Sequence, residues 1–495
     1  MRIAAISVGL QGHGHNLAFA PNAIVTVAAA VQRVFGDKVQ IRVFDEVLFG
    51  HDQLKELLSV FTPNVLFVSV PVTGYYYSAL DIYNWAKEHA IPVLTGGYHF
   101  NIPDVDYHGN QVYPGVIARL ATEREVFVCY ADGESTAVGF VEHLFNPNHR
   151  KLASVPNLCY VEAGQLIVTP RQENTLGTQA YPNLPLESFD PRAYWGSLSK
   201  SDVHASGKDL IGNVPIGRTI VGAKIVEGCT YRRVRLSQGK EACSYCTLTS
   251  PCHASSGQSF WRITQEMYDY VESISWSGDQ GVRCYQIGDD MGSDIPLIKS
   301  IWESRPPWAN EVPLGHRVYA WHVLGEDQAR MLYDIGVRWI YLGGDGKRGF
   351  TNEWSVRHPL VRTLENCRKH GLRASIGFVL GQRNQDWHDI EKWSKFSQRL
   401  AAEYGDSLII VDGWVNVLAP GSPDWAVLCQ YEPSFGNTDC PDLEKARMVF
   451  WQQCTKLCDH QNPEDIRRLL YEWVPQFEND MNRHPGVQRS FMLRP

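Results

Sequence analysis

Short β-branched runs alternate with stretches of helical periodicity through the first 145 residues. RIAAISVG, VQIRVFDE, NVLFVSVPV, IPVLTGG and EVFVCY read as strands, and PNAIVTVAAAVQRVFG, DQLKELLSVF, YSALDIYNWAKEHA and STAVGFVEHLF as the helices between and after them. That order predicts a doubly wound parallel sheet. Ligands of such sheets sit beyond the carboxyl ends of the strands. Those ends carry glycine and polar residues: GLQGHGH from Gly9, SVPVTGYYY from Ser69, GGYH from Gly96 and DGE from Asp132. Glycine there permits positive φ and close backbone approach to a ligand.

Residues 146 to 215 change character. KLASVPNLCYVEAGQLIVTPRQ predicts a β-hairpin turning at Ala163-Gly164, and YPNLPLESFDPRAYW reads as an irregular linker. From residue 216 the alternation resumes, with strands TIVGAKIVEG, RCYQIGDD, HRVYAWHVLG, VRWIYLGGDG, RASIGFVLG and SLIIVDGWVNVLAPGSPDW. The helices FWRITQEMYDYVESI, EDQARMLYDIG, VRHPLVRTLENCRKHG and DWHDIEKWSKFSQRL lie among them. Six repeats predict a partial (β/α)6 barrel with its functional groups at the carboxyl ends. Beyond residue 429, DLEKARMVFWQQCTKLCDHQ and PEDIRRLLYEWVPQFENDM have helical spacing and should cap the barrel. Cys454 and Cys458 fall four apart there, as buried small hydrophobes of one helix do. The expected organisation is α/β: a Rossmann-like sheet over 1–145, hairpin and linker over 146–215, barrel over 216–428 and a helical region over 429–495.

At 495 residues the chain is too long for one core. Apolar content of 44% and charged content of 20% describe an ordinary globular protein. A net charge of −8 offers no basic field, so no nucleic-acid partner is expected. No apolar run reaches the roughly 18 residues of a membrane span, and the N-terminus reads as a strand rather than a signal peptide. Twelve mostly scattered cysteines imply a reducing, cytoplasmic setting.

The chemistry concentrates in EGCTYRRVRLSQGKEACSYCTL, residues 227 to 248, which carries Cys229, Cys243 and Cys246, with Tyr245 before the last. Three thiolates can hold three irons of a four-iron, four-sulfur cluster and leave the fourth open. A C-x-x-C pair also fits structural zinc. Thirteen residues separate Cys229 from Cys243, a flexible excursion that adds only about 1 kcal/mol of closure entropy. Cys252 stands nearby as a substitute ligand, a catalytic thiol or a bystander.

C-S-Y-C preceded by E-G-C-T-Y resembles the cluster loop of the radical S-adenosylmethionine (SAM) superfamily, most of whose members space the first two cysteines more closely. The resemblance implies a [4Fe-4S] cluster on Cys229, Cys243 and Cys246, with SAM on its open iron and reductive cleavage to a 5′-deoxyadenosyl radical. It also implies a SAM site built from Tyr245, from Asp289 and Asp290 toward the ammonium, from Asp345, and from Gly377 to Gly381 against adenine. Asp345 lies in a G-G-D-G turn where the superfamily has G-x-E-S. Trp321-His322 fall in the strand HRVYAWHVLG, and APGSP from Ala419 closes the sixth, as P-x-P-G-S/T-P does in cobalamin-type members.

TGGYH followed by DGEST resembles the cobalamin-binding domain that precedes many radical SAM domains, where the equivalents read GG-x-H and GEGE; the hairpin and LP-rich linker recur there too. The residues implied are Gly12, His13, Ser69, Gly74, Tyr75, Gly96, Gly97, Tyr98, His99, Gly133 and Glu134. The run Tyr75-Tyr76-Tyr77 serves either packing or a corrin face. D-x-H-x-x-G is absent, so no imidazole is expected on the lower face of cobalt. The activity implied is methylation of an unactivated carbon of a small-molecule or natural-product substrate, with electrons from a donor such as flavodoxin or ferredoxin. The alternative is a radical rearrangement, coupling or cyclisation above an empty first domain. More remote is a zinc-binding protein that is no enzyme.

Overall fold

The structure, a computed structural model, describes residues 1–9, 21–71, 75–97, 100, 121–172, 181–194, 220–223, 238–239, 243–244, 256–274, 284–289, 294–310, 314–320, 324–343, 359–405, 407–415, 418, 420, 422–437, 442–457 and 462–468. The first sheet contains β1 (Arg2–Ser7), β2 (Gln40–Asp45), β3 (Val65–Ser69), β4 (Val93–Gly96) and β5 (Phe127–Cys129), all parallel and in the order β2-β1-β3-β4-β5. β1 is buried from Ile3 to Ser7, as a strand covered on both faces must be. One face is covered by α3 (His51–Phe61) and α4 (Tyr76–Glu88) through Leu54, Leu58, Ala79 and Ile82. The other is covered by α1 (Asn22–Phe35) and α5 (Gly133–Phe145) through Val25, Ala28, Ala137 and Phe140. The short α2 (Glu46–Phe49) follows β2 directly. Because β1 pairs with both β2 and β3, the connections diverge between β1 and β3, where a doubly wound sheet opens its crevice.

The hairpin does more than connect. β6 (Leu158–Glu162) pairs antiparallel with β5, and β7 (Gln165–Val168) with β6, so among the described residues the sheet has seven strands. Positive φ at both Ala163 and Gly164 matches the twist that a two-residue hairpin turn requires. The hairpin covers what would otherwise be the bare edge of β5.

Gly97, just past β4, has φ +115, and a Cβ there would stand 2.3 Å from the Val70 carbonyl oxygen. Gly97→Ala therefore combines a disfavoured backbone with a clash against backbone. It should cost about 3 kcal/mol or more, read as a fall in the urea midpoint with the m-value unchanged.

Among the described residues the second sheet has six parallel strands in chain order: β8 (Ile220–Ala223), β9 (Cys284–Asp289), β10 (Leu314–Ala320), β11 (Val337–Gly343), β12 (Arg373–Leu380) and β13 (Leu408–Val415). Around it lie α6 (Gly257–Ile274), α7 (Ile295–Glu303), α8 (Glu326–Asp334), α9 (Pro359–Lys369), α10 (Trp387–Tyr404), α11 (Pro423–Tyr431), α12 (Leu443–Cys454) and α13 (Pro463–Arg468). Two helices differ from the sequence expectation. α7 was not anticipated, although Asp294 caps it by accepting the Leu297 amide at 3.0 Å and Pro296 opens it. The last strand was expected to run through Trp425. It stops at Val415, and α11 begins at Pro423, with the Ser422 hydroxyl accepting the Trp425 amide at 3.1 Å. Cys454 ends α12 and is buried; Cys458 lies outside the described residues.

Residues 181–194 tie the two sheets' surroundings together. The Tyr181 amide donates to Glu266 of α6 at 2.9 Å, and Tyr270 donates to the Leu184 carbonyl at 3.1 Å. On the other side the Val43 amide donates to Ser188 at 2.8 Å, and the Tyr194 hydroxyl donates to Asp45 at 2.6 Å. The outer edge of β2 is thereby partly satisfied by the linker. No helix among the described residues is long and apolar enough to cross a membrane.

Candidate functional site

The α1/α5 face of the first sheet is apolar until its carboxyl edge. Ile3 and Ala5 on β1, Val65 and Phe67 on β3, and Leu94 on β4 all belong to that core. Continuing the same alternation, the next residues are Ser7, Ser69 and Gly96, directly opposite one another on neighbouring strands. A two-residue repeat keeps each series on one face. The core therefore ends in a row of small residues spanning the β1/β3 divergence. Sequence reasoning singled out Ser69 and Gly96 but missed Ser7; the alternation within RIAAIS carried the signal.

Around this edge the chain is held by buried polar groups. The Gly9 amide donates to Glu46 at 2.6 Å, and the other Glu46 oxygen lies 2.6 Å from His51 Nδ1. The second His51 nitrogen lies 3.1 Å from Asp81. A Cβ at Gly9 would meet Val47 Cγ2 at 2.7 Å, so glycine is needed where the first loop leaves β1. Of the tyrosine run, Tyr76 is buried against Phe100 and Tyr83, and Tyr77 is exposed. Half-buried Tyr75 is raised above the usual phenol range by burial and then by the Asp45 carboxylate nearby. Gly133 opens α5 beside Val27 of α1, and Glu134 is buried in the same first turn.

Burial raises the Asp45 carboxyl above the ordinary carboxylate range, against the hydrogen bonds from Tyr194 and the Val47 amide, and Glu46 adds to the rise. The folded chain thus keeps this proton to higher pH than the unfolded one. The associated stability is complete below the unfolded value and is lost as pH rises through the folded value. Tyr194→Phe should cost about 1–3 kcal/mol by removing a donor from a buried acceptor, and Asp45→Asn should flatten the acid limb of a urea-midpoint titration.

In the second unit Cys243 is partly buried. Its neighbour Ser244, between the last two cysteines of the loop, is held at two points by Asp424 on the first turn of α11. Ser244 Oγ lies 3.1 Å from Asp424 Oδ2, and the Asp424 amide donates to the Ser244 carbonyl at 2.9 Å. Asp424 is fully buried and pairs at 3.7 Å with Arg383, which stands three residues past β12. A buried carboxylate needs such partners to remain charged. The Cys454 thiol lies close by, pushed up to about 11 by burial first, with Asp424 adding and Arg383 opposing. The turn that carries Arg383 is itself fixed: Gln385 Oε1 accepts the Gly381 amide at 2.6 Å, and the Asn384 amide donates to the Cys454 carbonyl at 2.8 Å. Ser244, Asp424 and Arg383 therefore hold the end of the cysteine loop beside the carboxyl end of β12.

Along that edge Gly343, Gly377 and Asp412 are opposite one another on β11, β12 and β13, and Asp289 ends β9. A Cβ on Gly377 would overlap the Tyr341 hydroxyl, and one on Gly381, at φ +74, would meet Trp451 Nε1 at 2.7 Å. Both glycines thus have close neighbours within the chain. Cys229, Tyr245, Cys246, Asp290, Asp345, Gly12, His13, Gly74, Tyr98 and His99 lie outside the described residues. The Ser244–Asp424–Arg383 contact was not anticipated; the Asp that follows APGSP was its only trace in the sequence.

No protein-family model matches the sequence, and no curated protein does. Among solved structures, the radical SAM methyltransferase TsrM from Kitasatospora setae, with cobalamin and a [4Fe-4S] cluster bound, superposes with a TM-score of 0.56 at 16% identity, over 87% of this chain and 75% of that one. TsrM with tryptophan substrate and the SAM analogue aza-SAM gives a TM-score of 0.54 at 16% identity, over 87% and 76%. The cobalamin-dependent SAM radical enzyme OxsB with aqua-cobalamin bound gives 0.54 at 14% identity; 99% of this chain is covered but only 64% of OxsB. In its fold, this chain stands with the cobalamin-dependent radical SAM enzymes.

Proposed function

We propose that the chain is a radical SAM enzyme that also binds cobalamin and methylates an unactivated carbon of a small-molecule or natural-product substrate. The observation that carries the reading is the joint placement of two edges: a small-residue row at the divergence of the first sheet, and a cysteine loop anchored at the carboxyl end of β12 in the second. When bound, the cluster with SAM supplies one-electron radical chemistry and cobalamin supplies the methyl group.

The residues present fit these groups. Cys243 stands beside Ser244, which Asp424 anchors, and Cys229 and Cys246 would complete the donor set. Asp289, Asp290, Asp345 and the Gly377–Gly381 strand are the residues proposed to hold SAM. Ser7, Ser69 and Gly96 put small residues along the sheet edge where a long nucleotide tail would run, and Tyr75, Gly97, Gly12, His13, Gly74, Tyr98 and His99 are the further residues proposed for that site. Gly133 and Glu134 sit at the start of α5. Because D-x-H-x-x-G is absent, no histidine of this chain is proposed as a ligand to cobalamin. A flavodoxin or ferredoxin in a cytoplasmic setting supplies the electron.

The test is turnover of SAM. Anaerobically reconstituted, reduced protein should convert SAM to 5′-deoxyadenosine, and with an accepted substrate also to S-adenosylhomocysteine. A protein that takes up zinc, carries no labile sulfide and leaves SAM intact would overturn the reading. 5′-deoxyadenosine with no demethylated SAM across substrate classes would leave the radical rearrangement or coupling reading.

A further inference from the structure

We infer that Asp424 is the positioning residue of the cysteine loop, fixing Ser244 between Cys243 and Cys246 and so setting the geometry and charge around the cluster those cysteines would hold. The inference rests on the function proposed above but uses only this chain's own contacts.

Two features distinguish Asp424 from an ordinary helix-start residue. Ser422 already caps α11 through its bond to the Trp425 amide, so the Asp424 side chain is not needed for capping. Instead the carboxylate meets Ser244 Oγ at 3.1 Å while its own backbone amide meets the Ser244 carbonyl at 2.9 Å. Two contacts to one residue fix the loop's orientation as well as its position. Asp424 is fully buried, and its cationic partner Arg383 comes from a different strand end, 3.7 Å away. The Arg383 turn is in turn pinned to the end of α12 through Asn384 and Cys454. The cysteine loop is thus referenced to β12, α11 and α12 together. Partners behind metal ligands orient those ligands and tune the metal they bind.

The charge has a direction. Asp424 places a negative group beside the loop, balanced by Arg383. Asp424→Asn keeps an oxygen able to accept from Ser244 and retains the backbone contact, but removes the negative charge beside the loop. A more positive surround favours the reduced, more negative cluster, so the midpoint potential should move in the positive direction.

The experiment uses the full-length protein, reconstituted anaerobically with iron and sulfide, as wild type, Ser244→Ala, Asp424→Asn and Asp424→Ala. Iron and sulfide content, the rate of iron removal by a chelator, the electron paramagnetic resonance spectrum of the reduced protein and its midpoint potential are measured, with circular dichroism reporting the fold. Wild type should hold the cluster. Asp424→Ala should lose iron to the chelator roughly tenfold faster or more, Ser244→Ala should lose it faster by a smaller factor, and Asp424→Asn should retain iron with a positive shift in potential. A merely structural Asp424 would lower thermal stability without moving the potential or spectrum of the folded fraction. Folded Ser244→Ala and Asp424→Asn proteins with wild-type chelation rates, spectra and potential would overturn the inference alone, and they decide it even if Asp424→Ala fails to fold. A wild-type chain that takes up no iron would overturn the proposed function, and this inference with it.

Discussion

Replacing Cys243 or Cys246 with Ala is expected to remove the iron–sulfur cluster and reduce SAM cleavage to background. In the proposed site each cysteine would supply one of three thiolates, and two cannot hold three irons of a four-iron cluster. Because Ser244 is held by Asp424 and not through Cys243, loss of Cys243 should leave the surrounding fold intact. The variant should therefore be colourless and stable rather than unfolded. Cys229→Ala is more discriminating, since thirteen residues separate it from Cys243. If Cys252→Ala proves to be the change that abolishes the cluster, Cys229 is not the first ligand. A Cys243→Ala protein that keeps its brown chromophore and cleaves SAM would remove the loop from the mechanism.

The second large effect lies at the edge of the first sheet. Gly96→Leu is expected to abolish cobalamin binding while leaving the cluster in place. A Cβ at Gly96 would approach Cys129 no closer than 3.4 Å, so the backbone and Cβ are accommodated. The rest of a leucine side chain would extend past the row of Ser7, Ser69 and Gly96 into the space proposed for the nucleotide tail. Gly97→Ala is the contrasting control, since its Cβ collides with the Val70 carbonyl and should destabilise the sheet itself. Folded Gly96→Leu protein with undiminished cobalt would show that the tail does not run along this edge.

The strands and most helices of both sheets could be read from hydrophobic pattern because they obey local rules. RIAAIS is a buried central strand, and the positive-φ pair Ala163-Gly164 makes the hairpin turn where it was expected. The sheet to which the hairpin belongs was not legible, because the exposed edge of β5 is a tertiary fact. α11 was hidden within APGSPDW, where the proline that closes a loop also opens a helix. The candidate site divides in the same way. Its cysteines announce themselves by spacing, whereas Ser244–Asp424 joins residues 180 positions apart and Tyr194–Asp45 joins residues 149 apart. Such pairings arise only when the fold brings strand ends together.

The most direct test of the account is metal analysis of one preparation. Protein grown with cobalamin available and purified without oxygen is assayed for cobalt, iron, labile sulfide and zinc, alongside its corrin absorption spectrum. The account predicts about one cobalt with corrin bands and about four irons with four sulfides per chain. Zinc in place of iron, or an intact cluster with neither cobalt nor corrin bands, would contradict it.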